Sequence, residues 1–271
     1  MTKTNQQKVK DFLINNGVII VMFILVIYTG FTSDNFFTKN NFMNILMNMS
    51  SRLVIALGIA GCVITAGCDL SAGRMIGFGA CISGMLLQRM DYSGKFFPDM
   101  QPLNVFVVAL IAMLVCAAFG TVTGFFIAYL NVPPFIATLA MMEIVYGIGL
   151  IVTNATPLGG YVEQYTNVSN GKFLGINYLI WIAIIVAAIT WFIFNMTRHG
   201  KYMYAIGGNP QAAEVAGVPV KATLILIYMK AAAMYGLAGF MLGAKAGGAS
   251  VQTGYGYEME AIAACTIGGV S

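Results

Sequence analysis

The runs Val105–Leu130, Phe135–Val152 and Tyr178–Met196 are apolar almost without interruption. Each is close to the roughly 20 residues that a helix needs to cross the hydrocarbon core of a bilayer. In that solvent every backbone amide and carbonyl has to be paired inside the protein, so runs of this length read as helices. Gly17–Phe31, Leu53–Ala66, the glycine-rich Ala72–Leu87 and Ala222–Ala244 read as further spans, and an eighth apolar segment begins at Glu258 and runs to Ser271. Composition agrees: 59% of the 271 residues are hydrophobic and only 9% charged, against about 25% charged in soluble domains. The expected architecture is an all-α, polytopic transmembrane bundle of about eight spans or part-spans, a single domain over 1–271 embedded in lipid.

The polar segments set an orientation. Met1–Asp11 carries Lys3, Lys8 and Lys10, and no small-residue cleavage site follows the first apolar run. That run therefore reads as a membrane helix with its N-terminus inside, not as a signal peptide. Residues 32–51 are expected to form an exterior loop with a short interfacial segment at Asn40–Met49. The chain turns at Gly67–Ser71 and again at Asn131-Val132-Pro133-Pro134, where each proline removes a donor and restricts the residue before it. Asn154–Asn177 is long, polar and poor in lysine, which suits the exterior. Six crossings then bring Arg198, Lys201 and Lys221 to the cytoplasmic side, where basic residues concentrate. Ser271 follows Ile267-Gly268-Gly269-Val270 without a polar tail, and the expectation is a chain whose C-terminal helices are missing.

Several chemistries find no residues to carry them. There is no Gly-x-x-x-x-Gly-Lys-Ser/Thr phosphate loop: Lys95, Lys172 and Lys201 are followed by Phe96, Phe173 and Tyr202. A nucleotide that drives this chain would bind to another chain. His199 is the one histidine, so no zinc site or histidine-based triad can be assembled. Cys62, Cys68, Cys81, Cys116 and Cys265 show neither metal spacing nor a disulfide framework and read as small packing residues. No basic run suggests nucleic acid. No catalytic constellation, cofactor or metal is expected.

Small residues recur every four positions at Gly73/Gly77, Gly120/Gly124 and Gly239/Gly243/Gly247, a spacing that lets helix backbones approach closely in lipid. Four charged groups fall inside or beside the spans. Asp69, with Ser71 and Arg74 just after it, lies at a helix break, where a carboxylate either lines a transport path or is pinned by exposed helix-end amides. Glu143 and Lys230 lie about nine residues, or roughly 13 Å, from the ends of their spans. Opposite in sign and costly alone at that depth, they are expected to face one another or a shared polar cavity, or else to snorkel separately.

The stretch Arg198–Val218 interrupts the apolar pattern with a very short helix. Asn209 can cap it, Pro210 fits its first position and Gly217 can close it, leaving Pro210–Ala216 as roughly two turns. So short a helix is unstable alone in water and needs a surface to lie against. Ala212, Ala213 and Ala216 give it a face of little bulk, suited to the close approach of another protein. The stretch reads either as a docking stub for a cytoplasmic partner or as an ordinary interhelical loop.

Three segments together carry a resemblance. They are Ala56–Gly61 leading to Thr65–Arg74 (with Asp-Leu-Ser-Ala-Gly-Arg at 69–74), Ala128–Leu139, and Ala205–Ala213 followed by Tyr257–Ala264. Their order and spacing resemble the ribose/galactoside-type permease subunits of bacterial binding-protein-dependent ABC importers, with residues 69–74 most similar to the galactose/methyl-galactoside branch. The resemblance implies a multi-pass protein of the bacterial inner membrane that carries a monosaccharide or glycoside inward. It implies three partners: a second permease copy, a cytoplasmic ATP-binding subunit and a periplasmic sugar-binding protein. ATP hydrolysis would take place on the separate subunit. Within it, Gly207, Gly208, Asn209, Pro210, Gln211, Ala212, Ala213, Glu214 and Gly217 are similar to the loop by which ABC importers dock on their ATPase, making 198–221 a coupling loop. Gln211 stands where the family motif begins with Glu, and the Ile-x-Leu-Pro that follows in other importer classes is missing. Asp69, Ser71, Arg74, Glu143 and Lys230 are the candidates for the transport path. The rival is an ion-coupled secondary transporter with Glu143 and Asp69 as coupling carboxylates.

Overall fold

The computed structural model describes residues 10, 13–14, 16–33 and 35–270; Lys3, Lys8 and Ser271 lie outside them. The chain divides into two compact units, 1–46 and 47–271. The first holds α1 (Gly17–Thr32) and the start of α2 (Lys39–Ile64). The second continues with α3 (Ala72–Leu86), α4 (Val105–Tyr129), α5 (Pro134–Val152), α6 (Glu163–Asn170), β1 (Lys172–Phe173), β2 (Ile176–Asn177), α7 (Tyr178–Met196), α8 (Arg198–Gly208), α9 (Pro210–Val215), α10 (Val220–Ala246) and α11 (Tyr257–Ile267). Among the described residues, α2, α4, α5, α7 and α10 are long and apolar enough to cross a membrane, while α1 and α3 are apolar but shorter.

The second unit is built around α10. Its 27 residues extend roughly 40 Å at 1.5 Å per residue, more than the apolar thickness of a bilayer. It lies against α4 and α3 at backbone distance. A methyl group on Gly120 would strike the Tyr228 carbonyl, one on Gly239 the Ile76 carbonyl, and one on Gly236 would come within 2.5 Å of the Ala112 carbonyl oxygen. Close approach through small residues is how helices associate in a solvent that provides no hydrophobic drive between them. Of the expected glycine stripes, Gly120/Gly124 meet the backbone of α10 and Gly239 that of α3, whereas Gly73 and Gly77 lie against the backbone of 251–254 and Gly243 against the Tyr165 hydroxyl. Gly247 instead closes α10 in the left-handed conformation, φ 66°.

The connections gather at two ends. At one, Arg89 donates to the Gly160 carbonyl, Val162 to that of Leu87, and Leu158 and Ala249 bond reciprocally. At the other, the end of α2 packs on Gly207, and Lys221 stands over the Tyr129 ring. Segments 88–102, 154–177 and 247–249 thus share one end, and 131–134 and 197–221 the other; 251–256 instead runs back along α3 beside Gly73 and Gly77.

One local expectation is corrected, and two further segments are held more firmly than their sequence suggests. Residues 40–51 continue α2 and are not an exterior loop with a separate interfacial piece. Asn40, Asn44 and Asn48 recur every four positions, so their polarity occupies one stripe of a helix. Segment 154–177 contains α6 and a two-strand hairpin and is anchored in the bundle: Tyr165 is fully buried and its hydroxyl donates to the Phe240 carbonyl at 2.7 Å. The turn at 65–71 lies within the unit. Gly61, just before it, packs on Ile227, and Tyr235 reaches Asp69 within it; Ile227 is seven residues, about 10 Å, along α10.

Replacing Gly239 with Val is expected to cost about 1–3 kcal/mol, the usual range for overpacking, or to prevent assembly. Gly147→Ala, where nothing lies within 4 Å of the added carbon, should leave stability unchanged or slightly raised. Thermal unfolding in detergent distinguishes the two.

Candidate functional site

The stretch 198–218 is better defined than its sequence implies, because α8 precedes the short helix. α7 ends at Thr197, whose hydroxyl accepts from the Gly200 amide at 3.3 Å and caps α8. Any side chain on Gly200 would collide with the Phe194 carbonyl, so glycine permits the sharp bend between α7 and α8. Met203 and Ile206 bury one face of α8. Asn209 ends α8 and starts α9: extended at φ −162°, ψ 108°, it accepts from the Ala212 amide at 2.9 Å through its side-chain oxygen. Pro210 occupies the first helical turn, as expected. At the other end Val218 N donates to Ala213 O and Gly217 N to Glu214 O, both at 3.0 Å, with Gly217 at φ 84°. That is a Schellman closure, which satisfies the last carbonyls of a helix only about a turn and a half long.

The exposed face differs from the expected one. Ala213 is 5% exposed and points into the protein, so it is not part of a free alanine face. From Asn209 to Gly217 every residue except Ala213 is exposed. Val215, 92% exposed, presents a bare apolar side chain at the helix end.

Asp69 is 2% exposed. Its Oδ1 accepts from the Ser71 amide at 3.0 Å and the Ser71 hydroxyl at 2.6 Å, and its Oδ2 from the Tyr235 hydroxyl at 3.1 Å. Carboxylate and serine together tie the start of α3 to the middle of α10. The carboxylate is thus buried and hydrogen-bonded at the start of a helix. Arg74, one turn further, lies between the rings of Tyr146 and Tyr255. Glu143 is exposed on α5, one turn before Tyr146.

Glu143 and Lys230 are not brought together. No ion pair joins them among the described residues. Lys230 lines a narrow crevice with Leu57, Thr190, Phe194, His199 and Met203. The two charges turn to different surroundings because their helices pack on different neighbours, α5 on α3 and α4, and α10 also on α8. His199 faces that crevice. Burial, with the Lys230 ammonium nearby, lowers its pKa from 6.5 to about 4, so at neutral pH it is uncharged. Tyr146, Gln252, Tyr255 and Glu258, which pair with or pack beside the Arg74 region, were not singled out from the sequence. They lie 72 to 184 positions from Arg74, and the signal they offered was a tyrosine within an apolar run and a polar patch after a glycine-rich turn.

The geometry describes a bundle with one capped, projecting helix at one end and a polar cluster inside the other half. The family described as branched-chain amino acid transport system / permease component matches residues 41–271. The chain belongs to this permease family. It is 39% identical to the galactose/methyl galactoside import permease protein MglC of Escherichia coli and 41% identical to that of Haemophilus influenzae, in each case over 100% of this chain and 83% of the relative. It is 32% identical to the ribose import permease protein RbsC of Escherichia coli, over 97% of this chain and 79% of the relative. No solved structure matches.

The lowered His199 pKa has a testable consequence. The folded state disfavours its protonation and the unfolded state does not, so its contribution to stability is present above pH 6.5 and is lost as pH falls toward about 4. Thermal unfolding between these values should show a steeper loss in the unmodified chain than in His199→Gln.

Proposed function

We propose that this chain is the membrane-spanning subunit of an ATP-driven importer that carries galactose or methyl galactoside into a bacterial cell. The observation that carries the reading is the end-to-end similarity to galactose/methyl galactoside import permeases, joined to the capped, projecting α9. The permease domain takes in the whole chain, 1–271, with eight spans or part-spans and a cytoplasmic N-terminus in the inner membrane. Two copies flank the path. A periplasmic sugar-binding protein meets the end formed by 88–102, 154–177 and 247–249. A separate ATPase docks on α9 and its flanks (198–221), where Arg198, Lys201 and Lys221 mark the cytoplasmic side.

In this assignment α9 transmits motion because it is tied down at both ends. Asn209 and the Gly217 closure hold its termini, Ala213 anchors it, and Val215 with Gln211, Ala212 and Glu214 offers the contact. A displacement of α9 is passed directly to α8 and to the start of α10, which adjoin it in sequence and space. α10 carries it to α3 and α4 through the glycine contacts. Tight packing makes such elements move as bodies. Asp69 and Ser71 serve as the pin that keeps the broken α2–α3 connection attached to α10. Arg74 and Glu143 face the path, and Lys230 lies off it in the crevice beside His199.

Reconstitution tests the reading. Vesicles with this chain, the ATPase and the binding protein should take up methyl galactoside only with ATP, and the chain alone should accumulate none under a proton or sodium gradient. Accumulation by the chain alone would establish the ion-coupled rival, which the family membership disfavours.

Val215→Asp places a charge on the exposed end of α9 without touching the bundle. It is expected to reduce ATPase co-purification by about tenfold or more, the loss produced by disrupting a contact worth over about 1.4 kcal/mol, with membrane insertion unchanged. Sidedness is checked with an impermeant thiol reagent. Cysteine at the exposed Asn167 should react from outside, and cysteine at Gln211 only after the membrane is opened. Labelling of both from one side would refute the orientation.

A further inference from the structure

Neither spanning the membrane nor docking a partner accounts for the cluster around Arg74. The guanidinium carbon lies 4.0 Å from the centre of the Tyr146 ring and 4.3 Å from that of Tyr255. The flat cation is thus held between a ring from α5 and one from the 247–256 segment. Its Nη1 donates to Gln252 Oε1 at 2.7 Å and to the Val251 carbonyl at 3.4 Å. Gln252 in turn donates through Nε2 to the Tyr146 hydroxyl at 3.2 Å, so Arg74, Gln252 and Tyr146 form a closed ring of contacts. Among the described residues, two buried polar atoms here have no partner: Nε of Arg74 and Oε2 of Glu258. Glu258 is only 6% exposed, and its carboxylate is packed against Gly73, the residue before Arg74.

The position of the cluster is as informative as its contacts. Arg74 lies twelve residues, about 18 Å along the helix axis, from the end of α3 at Leu86. That is deep relative to an apolar core roughly 30 Å thick. Intramembrane charges normally face protein or water and mark routes for solutes. Yet Tyr255 is 59% exposed and Gln252 is exposed as well. Gly254 at φ 82° and Gly256 at φ 88° flank Tyr255 and hold it outward in a backbone that other residues rarely adopt. Aromatic faces beside a forked donor and a side-chain amide suit a polyol ring. Its C–H face lies on the negative face of an aromatic ring, and its hydroxyls exchange hydrogen bonds with guanidinium and amide. The covered faces of the Arg74 guanidinium favour such a neutral solute over an anion.

We propose that Arg74, Tyr146, Gln252 and Tyr255 form a sugar-contacting station on the route through the permease; this rests on the importer reading above. Sugar hydroxyls replace the Arg74–Gln252 hydrogen bond with bonds of the same kind. The exchange is close to balanced, so contact is brief and release fast. The station sets the sugar's passage, while Asp69 and Ser71 behind it keep α3 in place.

The test uses vesicles containing the complete importer and measures methyl galactoside taken up per ATP hydrolysed. Tyr255→Ala and Gln252→Ala are each expected to lower this ratio by about tenfold, the effect of losing roughly one good contact, and Tyr255→Phe, which keeps the ring, to retain it within about threefold. A proportional fall in uptake and hydrolysis, with the ratio unchanged, would make the cluster a structural tie and overturn the proposal. Unchanged uptake in both alanine variants would also overturn it. No ATP-dependent uptake by the unsubstituted importer would overturn the importer reading itself, and the station with it.

Discussion

Backbone-distance packing of α10 on α3 and α4 is the constraint from which the rest of the second unit follows. Lipid removes the hydrophobic drive that would press helices together in water, so association depends on how many atoms can touch. Gly120, Gly236 and Gly239 remove side chains where Tyr228, Ala112 and Ile76 carbonyls come closest. Because those contacts are backbone to backbone, they tolerate no added methyl, and they fix the rotation of α10. That rotation turns Tyr235 toward Asp69, Lys230 toward the α8 crevice and Phe240 toward Tyr165.

The polar groups divide into two kinds once this packing is in place. Asp69 is saturated: Ser71 and Tyr235 take up both its oxygens, which suits a pin for a helix that begins inside the unit. Arg74, five residues later, is held by groups that can exchange. Two of its neighbours, Gln252 and Tyr255, are exposed and come from a segment with left-handed glycines. A residue with all its bonds buried supports a structure, whereas one with exposed partners can trade them for a solute. The distinction separates neighbours that the shared motif at 69–74 presents as a unit.

At the opposite end, α9 shows how a helix too short to persist alone is kept formed. Asn209 satisfies one end, the Val218 and Gly217 amides the other, and buried Ala213 joins it to the body of the protein. What remains outside is small, with Val215 as its apolar tip. Among the permeases to which this chain is related, such an element has an evident use under the importer reading, since a rigid, capped projection passes on force that a flexible loop would absorb.

Much of this was legible in the chain itself. The length of the apolar runs specified helices, since no other open structure pairs its backbone in lipid. Asn209, Pro210 and Gly217 specified both ends of α9, because capping is local chemistry acting over three or four residues. The grouping of segments at two ends followed from counting crossings. Tertiary structure decided whatever depends on rotation about a helix axis or on partners distant in sequence. Ala213 faces inward and Val215 outward; Lys230 meets His199 and not Glu143; Arg74 lies between tyrosines 72 and 181 positions away. In a helix apolar on nearly every side, periodicity does not mark which face turns inward. The close contacts of α10 choose that face, and with it the neighbours of Asp69, Tyr165 and Lys230.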